Sequence, residues 1–429
     1  MTVLSVRRSV TSRAAPAAAP PTPPPRTRPL AALLLTALLG TACAAPGDGT
    51  PDDDRPPADT GTATPHGYVE GAQEAAEQQS RLLLNDPGSG ATQVLDLITG
   101  EVHDTAPVRD AVRIGTDGRF GFLHTSRAIG VLDGGTWMVD HGDHVHYYRA
   151  AVRDVGELPA GDTAQVRSDA AVTVMTDGGG RAALYQRTEL EKGRIGEPST
   201  LPGTYTGAVV PYAGQLVALE AGAGGGAARL VVLDRAGRKA DAPDAVCAEP
   251  RGDAVTRRGV VLGCADGALL IAERDGALTV EKIPYDRKVP EGERAGAFRH
   301  RPGSDTLTAP AGDDAVWVLD VGEGTWTRVE TGPVLAANTA GEGSPLLVLR
   351  TDGTLRALDI AQGTEVARTE RLVTPGDGAA PVIEVDRSRA YVNDPHGRRV
   401  LEIDYADGLR IARTFALDLA PRLMAETGR

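Results

Sequence analysis

From about residue 66 onward, apolar residues fall in runs of four to six that favour Val and Leu, broken by Gly, Asp and scattered Pro. Runs this short suit strands, and helical signals are lacking. A short pattern recurs: an apolar strand, a turn with Asp or Gly, then a second strand closing on a hydrophobic residue, Leu and Asp. It ends at Asp96 (TQVLD), Asp133 (IGVLD), Asp234 (RLVVLD), Asp320 (AVWVLD), Asp359 (LRALD) and Asp404 (VLEID). Weaker copies end at Tyr185 (RAALY) and Glu273 (LLIAE), giving eight units spaced 37 to 52 residues apart. Such a step, with several short strands in each unit, suits propeller blades, because one sheet cannot bury both faces until neighbours stack on it.

The spacing therefore predicts an all-β chain whose residues 66–429 form a single β-propeller. It predicts eight blades, or seven if one weak unit is a decorated loop. TDG at 351–353, RDG at 274–276 and ADG at 406–408 stand between strand-like runs, as hairpin turns do. The first and last units look alike, RLLLNDPGSGATQVLD beside AYVNDPHGRRVLEID, so the N- and C-terminal strands are expected to pair and close the ring. A pair of β-sandwich domains is the competing architecture. Segment 68–80, YVEGAQEAAEQQS, has helix-forming composition and equally fits the first strand of the body.

The N-terminal part follows other rules. Residues 1–29 are rich in Pro, Ala and Arg and contain no acid, and 30–43 is an apolar run of fourteen, LAALLLTALLGTAC. A membrane-spanning helix needs about 20 apolar residues. A basic stretch, a short apolar core and small residues before a cut site read instead as an export signal over 1–42. LGTAC resembles a bacterial lipoprotein cleavage site, with Gly40 where Leu is usual, and this makes Cys43 the expected lipidation site. Residues 43–65 lack core-forming side chains and read as a disordered, lipidated tether of about 25 Å reach. The expected location is the outer face of the cytoplasmic membrane.

The formal net charge is −13, and the five arginines of the signal leave with it, so the mature chain stands at −18. An acidic surface of this kind disfavours nucleic acid and anionic lipid and tolerates cations or a basic partner. Cys247 and Cys264 flank a strand–turn–strand segment, and export favours a disulfide between them.

The strongest chemical signal is DHGDHVH at 140–146. Three of the chain's eight histidines, His141, His144 and His146, stand within six residues there. On a strand, His144 and His146 share a face, and Gly142 lets the chain turn His141 toward them. Three imidazoles and a carboxylate suit Zn²⁺, with Cu²⁺ next, and suit Ca²⁺ or Mg²⁺ badly. Asp140 and Asp143 are placed to accept from the outer ring nitrogens. Asp177, in the turn of VMTDGGG, and His396, in NDPHG, are candidates for the fourth ligand. GAGGGA at 222–227 imitates a dinucleotide fingerprint, but a strand follows where a helix is required. No GxSxG, HExxH, P-loop or SxxK is present, so no enzyme activity is expected.

DHGDHVHYYRA (140–150), EGAQEAAEQQSRLLLND (70–86), VMTDGGG (174–180) and the pair Cys247 with GCADG (263–267) together resemble the AztD-type zinc metallochaperones. The resemblance spans most of 66–429. It implies an extracytoplasmic β-propeller that binds Zn²⁺ and passes it to the solute-binding protein of an ABC transporter. It carries His141, His144, His146 and Asp177 over as ligands. A monomer is expected. Family members have His-Gly a few residues after the first Cys. Arg251-Gly252 stands there in this chain, and a cation speaks against a zinc role for that loop. The alternative reading is a cell-surface propeller that binds a protein or glycan without metal.

Overall fold

The computed structural model describes residues 69–140, 144–222, 227–374, 376 and 381–429. The export signal, the tether, Cys43 and His141 lie outside the described residues. No described helix is long and apolar enough to cross a membrane. The body is a β-propeller of antiparallel meander sheets. Its one α-helix among the described residues is the five-residue segment Arg187–Glu191.

Among the described residues, eight sheets follow one another along the chain. Sheet 1 runs Leu423–Thr427, Arg81–Asn85, Thr92–Asp96, Val102–Asp104. Sheet 2 runs Arg153–Leu158, Ile129–Asp133, Phe120–His124, Arg113–Thr116, and sheet 3 runs Gln165–Ser168, Val172–Thr176, Ala182–Gln186, Ser199–Leu201. Sheet 4 is built on Val210–Tyr212, Gln215–Glu220, Ala228–Leu233 and Lys239–Ala240, with Val246–Cys247 also paired to Ala228–Leu233. Sheet 5 holds Asp253–Val255, Val260–Cys264, Gly267–Arg274 and Ala277–Pro284. Sheet 6 has three strands, Thr306–Pro310, Ala315–Asp320 and Thr325–Glu330, and a single bridge from Arg299 to Thr308 stands where the others have a first strand. Sheet 7 holds Val334–Thr339, Leu346–Arg350, Thr354–Leu358 and Glu365–Arg371. Sheet 8 holds Ile383–Val385, Ala390–Asp394, Arg399–Asp404 and Arg410–Ala416.

Each recurring sequence unit lands on the same strand of its sheet, the third counted from the inner edge. The terminal Asp is explained by the turn that follows. Asp96 Oδ1 accepts the backbone N–H groups of Ile98 and Thr99 at 3.0 and 3.1 Å, and Asp320 and Asp359 accept those of Glu323 and Gln362. The carboxylate thus closes the hairpin that the strand opens.

Apolar clusters lie between the sheets. Leu83 and Val94 of sheet 1 meet Leu123 and Leu132 of sheet 2. Further clusters join sheets 2 and 3, 3 and 4, 4 and 5, 5 and 6, 6 and 7, and 7 and 8. Tyr391 and Val400 of sheet 8 pack on Leu82, Leu84 and Leu95 of sheet 1. The C-terminal strand pairs with the first body strand in continuous register, from Arg81 opposite Thr427 to Asn85 opposite Leu423.

Cys247 and Cys264 form a disulfide with Cα atoms 5.3 Å apart. The two half-cystines belong to different sheets, 4 and 5, rather than to one hairpin, so the bond staples adjacent sheets. In the chain-entropy model such a loop contributes about 3 kcal/mol.

A ninth sheet departs from the repeat. Strands Thr136–Asp140 and Val145–Arg149 form an arm inserted between the third and fourth strands of sheet 2, and Gln73–Ala75 adds to it as a third strand. The described part of that segment, residues 69–80, is therefore neither helix nor ring strand. Its strand pairs with the arm, Glu74 opposite Tyr148. The arm leaves the ring at Gly134-Gly135. A Cβ on Gly135, whose φ is +71°, would stand 2.6 Å from the Ala150 carbonyl oxygen, so only glycine lets the two stalks come this close.

Candidate metal centre

The arm is anchored at its root and along its length. Arg81, buried and paired with Asp96 at 3.1 Å, donates from Nη1 to the carbonyls of Gly134 at 2.8 Å and Ala150 at 3.3 Å. It thereby holds both stalks. Farther out, Trp137 lies opposite Tyr148 and stacks on it with ring centroids 5.4 Å apart. The Arg119 guanidinium lies 3.8 Å from the Trp137 ring centroid. Arg119 is itself fixed by the fully buried Asp133, Nη2 to Oδ2 at 2.9 Å. A cation over a desolvated indole contributes about 2 kcal/mol. Beside this contact, Asp117 is buried and ion-paired with Arg187. Burial raises its carboxyl, but the charge and hydrogen bond of Arg187 together with the N–H groups of Phe120 and Arg119 outweigh burial and hold it below the ordinary value.

Strand alternation puts Trp137 and Val139 on one face of the arm with His146 and Tyr148. His144, one residue before the strand Val145–Arg149, falls on the same side. Its Nε2 stands 3.1 Å from Nε2 of His146, with the rings edge to face. The His146 ring lies stacked beside Tyr148 at 6.2 Å. On its other side, His146 Nδ1 is 2.6 Å from Oε1 of Glu74. A carboxylate can only accept, so Nδ1 carries a proton, and in the neutral ring the Nε2 lone pair faces His144. Two nitrogens bound at about 2.0–2.1 Å to one tetrahedral zinc stand about 3.3 Å apart. The observed pair is within a few tenths of an ångström of that spacing, and the donor set is the borderline nitrogen type that Zn²⁺ favours. The described pair would supply two of the ligands that the ion takes.

The expected face-sharing of His144 and His146 is found. The expected fourth ligands are not brought to them. Ser168, Asp169 and Ala170, before strand Val172–Thr176, line a cavity of about 460 Å³ together with Trp137 and Val139. Asp177 follows the far end of that five-residue strand, about 17 Å away at about 3.4 Å per residue. Its carboxylate is engaged there by Arg181, Nη2 to Oδ2 at 2.8 Å, and by the N–H groups of Gly179 and Arg181. The Arg181 backbone hydrogen bond leads the causes that hold its pKa below the usual value. His396 is similarly remote. Asp386 and Arg387 share a cavity with Met138 and Tyr147 of the arm, whereas His396 is an exposed turn residue beyond the far end of Ala390–Asp394. Among the described residues, no group of three or more His, Cys, Asp or Glu side chains is arranged around one ion.

Arg251 pairs with Glu291 at 3.2 Å, as expected of a cation without a metal role. Glu74, Trp137, Arg119 and Arg81 are not singled out by any sequence pattern. Glu74 meets His146 across 72 positions of chain, and neither period nor motif reports a contact of that range.

An all-β propeller with a histidine-bearing arm over one end of its sheets defines the class. Within it, the chain is similar to the zinc chaperone AztD of Citrobacter koseri, 23% identical over 346 residues that cover 76% of this chain and 81% of that protein. The crystal structure of Citrobacter koseri AztD superposes with a TM-score of 0.67 at 19% identity, covering 82% of this chain and 98% of that one. Apo AztD from the same organism gives 0.67 at 18%, over the same shares. The dihydro-heme d1 dehydrogenase NirN, at a TM-score of 0.52, 15% identity and coverage of 82% and 76%, shares the fold alone. No family model matches the chain. The AztD-type resemblance is thus met in both sequence and architecture.

Proposed function

We propose that this protein is an exported, lipid-anchored zinc metallochaperone that holds Zn²⁺ on its arm and passes it to the solute-binding protein of an ABC transporter. The observation that carries the reading is the 3.1 Å approach of the His144 and His146 Nε2 atoms, with Glu74 on the outer nitrogen of His146. Similarity to the zinc chaperone AztD supports it. Without an ion, His144 Nε2–H donates to the His146 lone pair. A zinc ion takes the place of that proton, and His144 then carries its hydrogen on Nδ1. His141 is assigned as the third ligand from the sequence motif. Asp177 is not assigned.

Delivery is ligand exchange. An exposed pair of imidazoles lets an incoming donor from the acceptor bind the ion before the first of its own ligands leaves. No bond to substrate carbon or phosphorus is made or broken, so the role is not catalytic. The acidic chain favours a basic acceptor surface, an attraction that salt weakens.

The test is elemental analysis and competitive titration of purified protein, then transfer to a candidate solute-binding protein. Stoichiometric zinc is expected. The His144→Ala/His146→Ala double variant should lose at least about 100-fold in affinity, more than an outer-shell partner contributes, with little change in melting temperature. Retention of zinc by that variant, or no zinc on the wild type, would remove the proposal.

A further inference from the structure

The site depends on a side chain that belongs to neither arm strand. Glu74 stands on Gln73–Ala75, a strand of three residues whose burial runs exposed, exposed, half-buried. Three register pairs, Gln73 with Arg149, Glu74 with Tyr148 and Ala75 with Tyr147, join it to the arm. The arm itself is held by other means: Arg81 at the root, and Arg119 beneath Trp137. Tyr148 fixes the plane of the His146 ring by stacking. Stacking cannot choose which nitrogen faces His144, because a half-turn about Cβ–Cγ leaves the plane unchanged. The hydrogen bond to Glu74 makes that choice.

We propose that Glu74 is a positioning residue for the zinc pair, and that docking of the short strand Gln73–Ala75 on the arm sets the affinity of the pair for zinc. With the strand docked, Nδ1–H of His146 is held and Nε2 is aimed at the ion. With it undocked, the ring divides between two tautomers and two orientations, and the pair loses its alignment. The strand buries no side chain fully, so little apolar area holds it in place. It is the detachable member of the three.

This inference rests on the zinc reading, so its test has an arm without metal. In metal-free protein at pH about 8, the imidazole ¹⁵N shifts of His146 should report the Nδ1–H tautomer. That signature should fade in Glu74→Ala and persist in Glu74→Gln, whose amide oxygen still accepts. Zinc titration should show affinity about 10–100-fold weaker for Glu74→Ala, the usual loss for an outer-shell partner of a metal-bound histidine, and recovery of most of it in Glu74→Gln. Gln73→Pro/Ala75→Pro, which spoils strand pairing but leaves Glu74 in the chain, should weaken zinc as Glu74→Ala does. An Nε2–H signature in the wild type, or one unchanged by Glu74→Ala, overturns the proposal. So does a Glu74→Gln variant as weak as Glu74→Ala, or proline variants that bind as the wild type does. A wild type that binds no zinc refutes the earlier reading, and the ¹⁵N comparison alone then decides the role of Glu74.

Discussion

Strand Val172–Thr176 of the ring and strand Val145–Arg149 of the arm are both five residues long, and both start with Val. The first is buried at all five positions, and the second only at Tyr148. In the ring, neighbouring sheets cover both faces of the strand, and side chains are fixed by the mass of apolar contact around them. On the arm, one cation under one indole, one guanidinium on two carbonyls and one carboxylate on one imidazole fix the geometry. A residue of the ring's apolar core therefore acts through stability, and the polar side chains that brace the arm, Arg81 and Arg119 of the ring among them, act through posture. The two can be separated experimentally.

The largest stability effect belongs to the ring. Leu83 is fully buried between sheets 1 and 2, and it packs so closely that a Cβ on Gly121 would stand 2.1 Å from its Cδ1. Leu83→Ala should cost about 2–5 kcal/mol, the range for cavity-forming truncations of buried leucine, read as a lower denaturant midpoint. The folded fraction should bind zinc as the wild type does. A loss of zinc affinity in protein that is still folded would show that the arm draws its posture from the ring core.

Next comes the response to pH, set by buried groups of the ring. Burial, with the charges of Arg113 and Arg167, pulls His124 from 6.5 to about 3, and burial with Arg429 pulls His300 to about 4. Between those values and 6.5 the unfolded chain binds two protons that the folded protein refuses. Their contribution is full above 6.5 and is lost as pH falls. Glu426 runs the other way. Burial, then the nearby Glu384 and Asp386, lift its carboxyl from 4.5 to about 7 against the pull of Arg429. Its contribution is full below 4.5 and is lost as pH rises to about 7. For these three groups a net of one proton remains between 4.5 and 6.5, and Glu191, whose carboxyl burial also raises, subtracts from it, so stability should rise with pH by at most about 1 kcal/mol per unit. Glu426→Gln removes one of the opposing groups and should roughly double that slope. Melting curves across this window decide it, and a flat profile in both proteins would contradict the assigned burial.

Legibility in the sequence follows the same division. The units are readable because six of the eight third strands run into an Asp, and five of those carboxylates, all but that of Asp404, accept N–H groups of the turn that follows, so the signal is local and repeated. The likeness of RLLLND and AYVND marks two second strands, those of sheets 1 and 8, which pack against each other. His144 and His146 are readable because strand alternation is local too. Glu74 is not. Its segment has helix-forming composition, and only the arm, some 70 residues onward, gives Gln73–Ala75 a partner to pair with. Cys247 and Cys264 read as a bonded pair within one hairpin. The bond is there, but sequence proximity does not reveal that a sheet boundary falls between them.

Asp177 supplies the smallest expected effect and the sharpest contrast with the histidines. A carboxylate at the end of an apolar strand, before three glycines, has two uses that look alike in sequence: it can reach for a metal, or it can close its own turn. The structure gives it the second. Both oxygens are engaged, Oδ1 by the N–H groups of Gly179 and Arg181, and Oδ2 by the Arg181 guanidinium. To ligate zinc it would have to leave those partners and cross the length of strand Val172–Thr176. Asp177→Ala should therefore leave zinc affinity unchanged and cost about 1 kcal/mol, the net worth of the turn's hydrogen bonds. The Arg181 ion pair adds little to that sum, because its guanidinium is largely exposed and screened by solvent. Asp177→Asn, which keeps an acceptor for both N–H groups, should recover most of the loss. A fall in zinc affinity in either variant would place the ion at the opposite end of sheet 3 from the arm, and would make the turn the metal site and the arm a structural appendage.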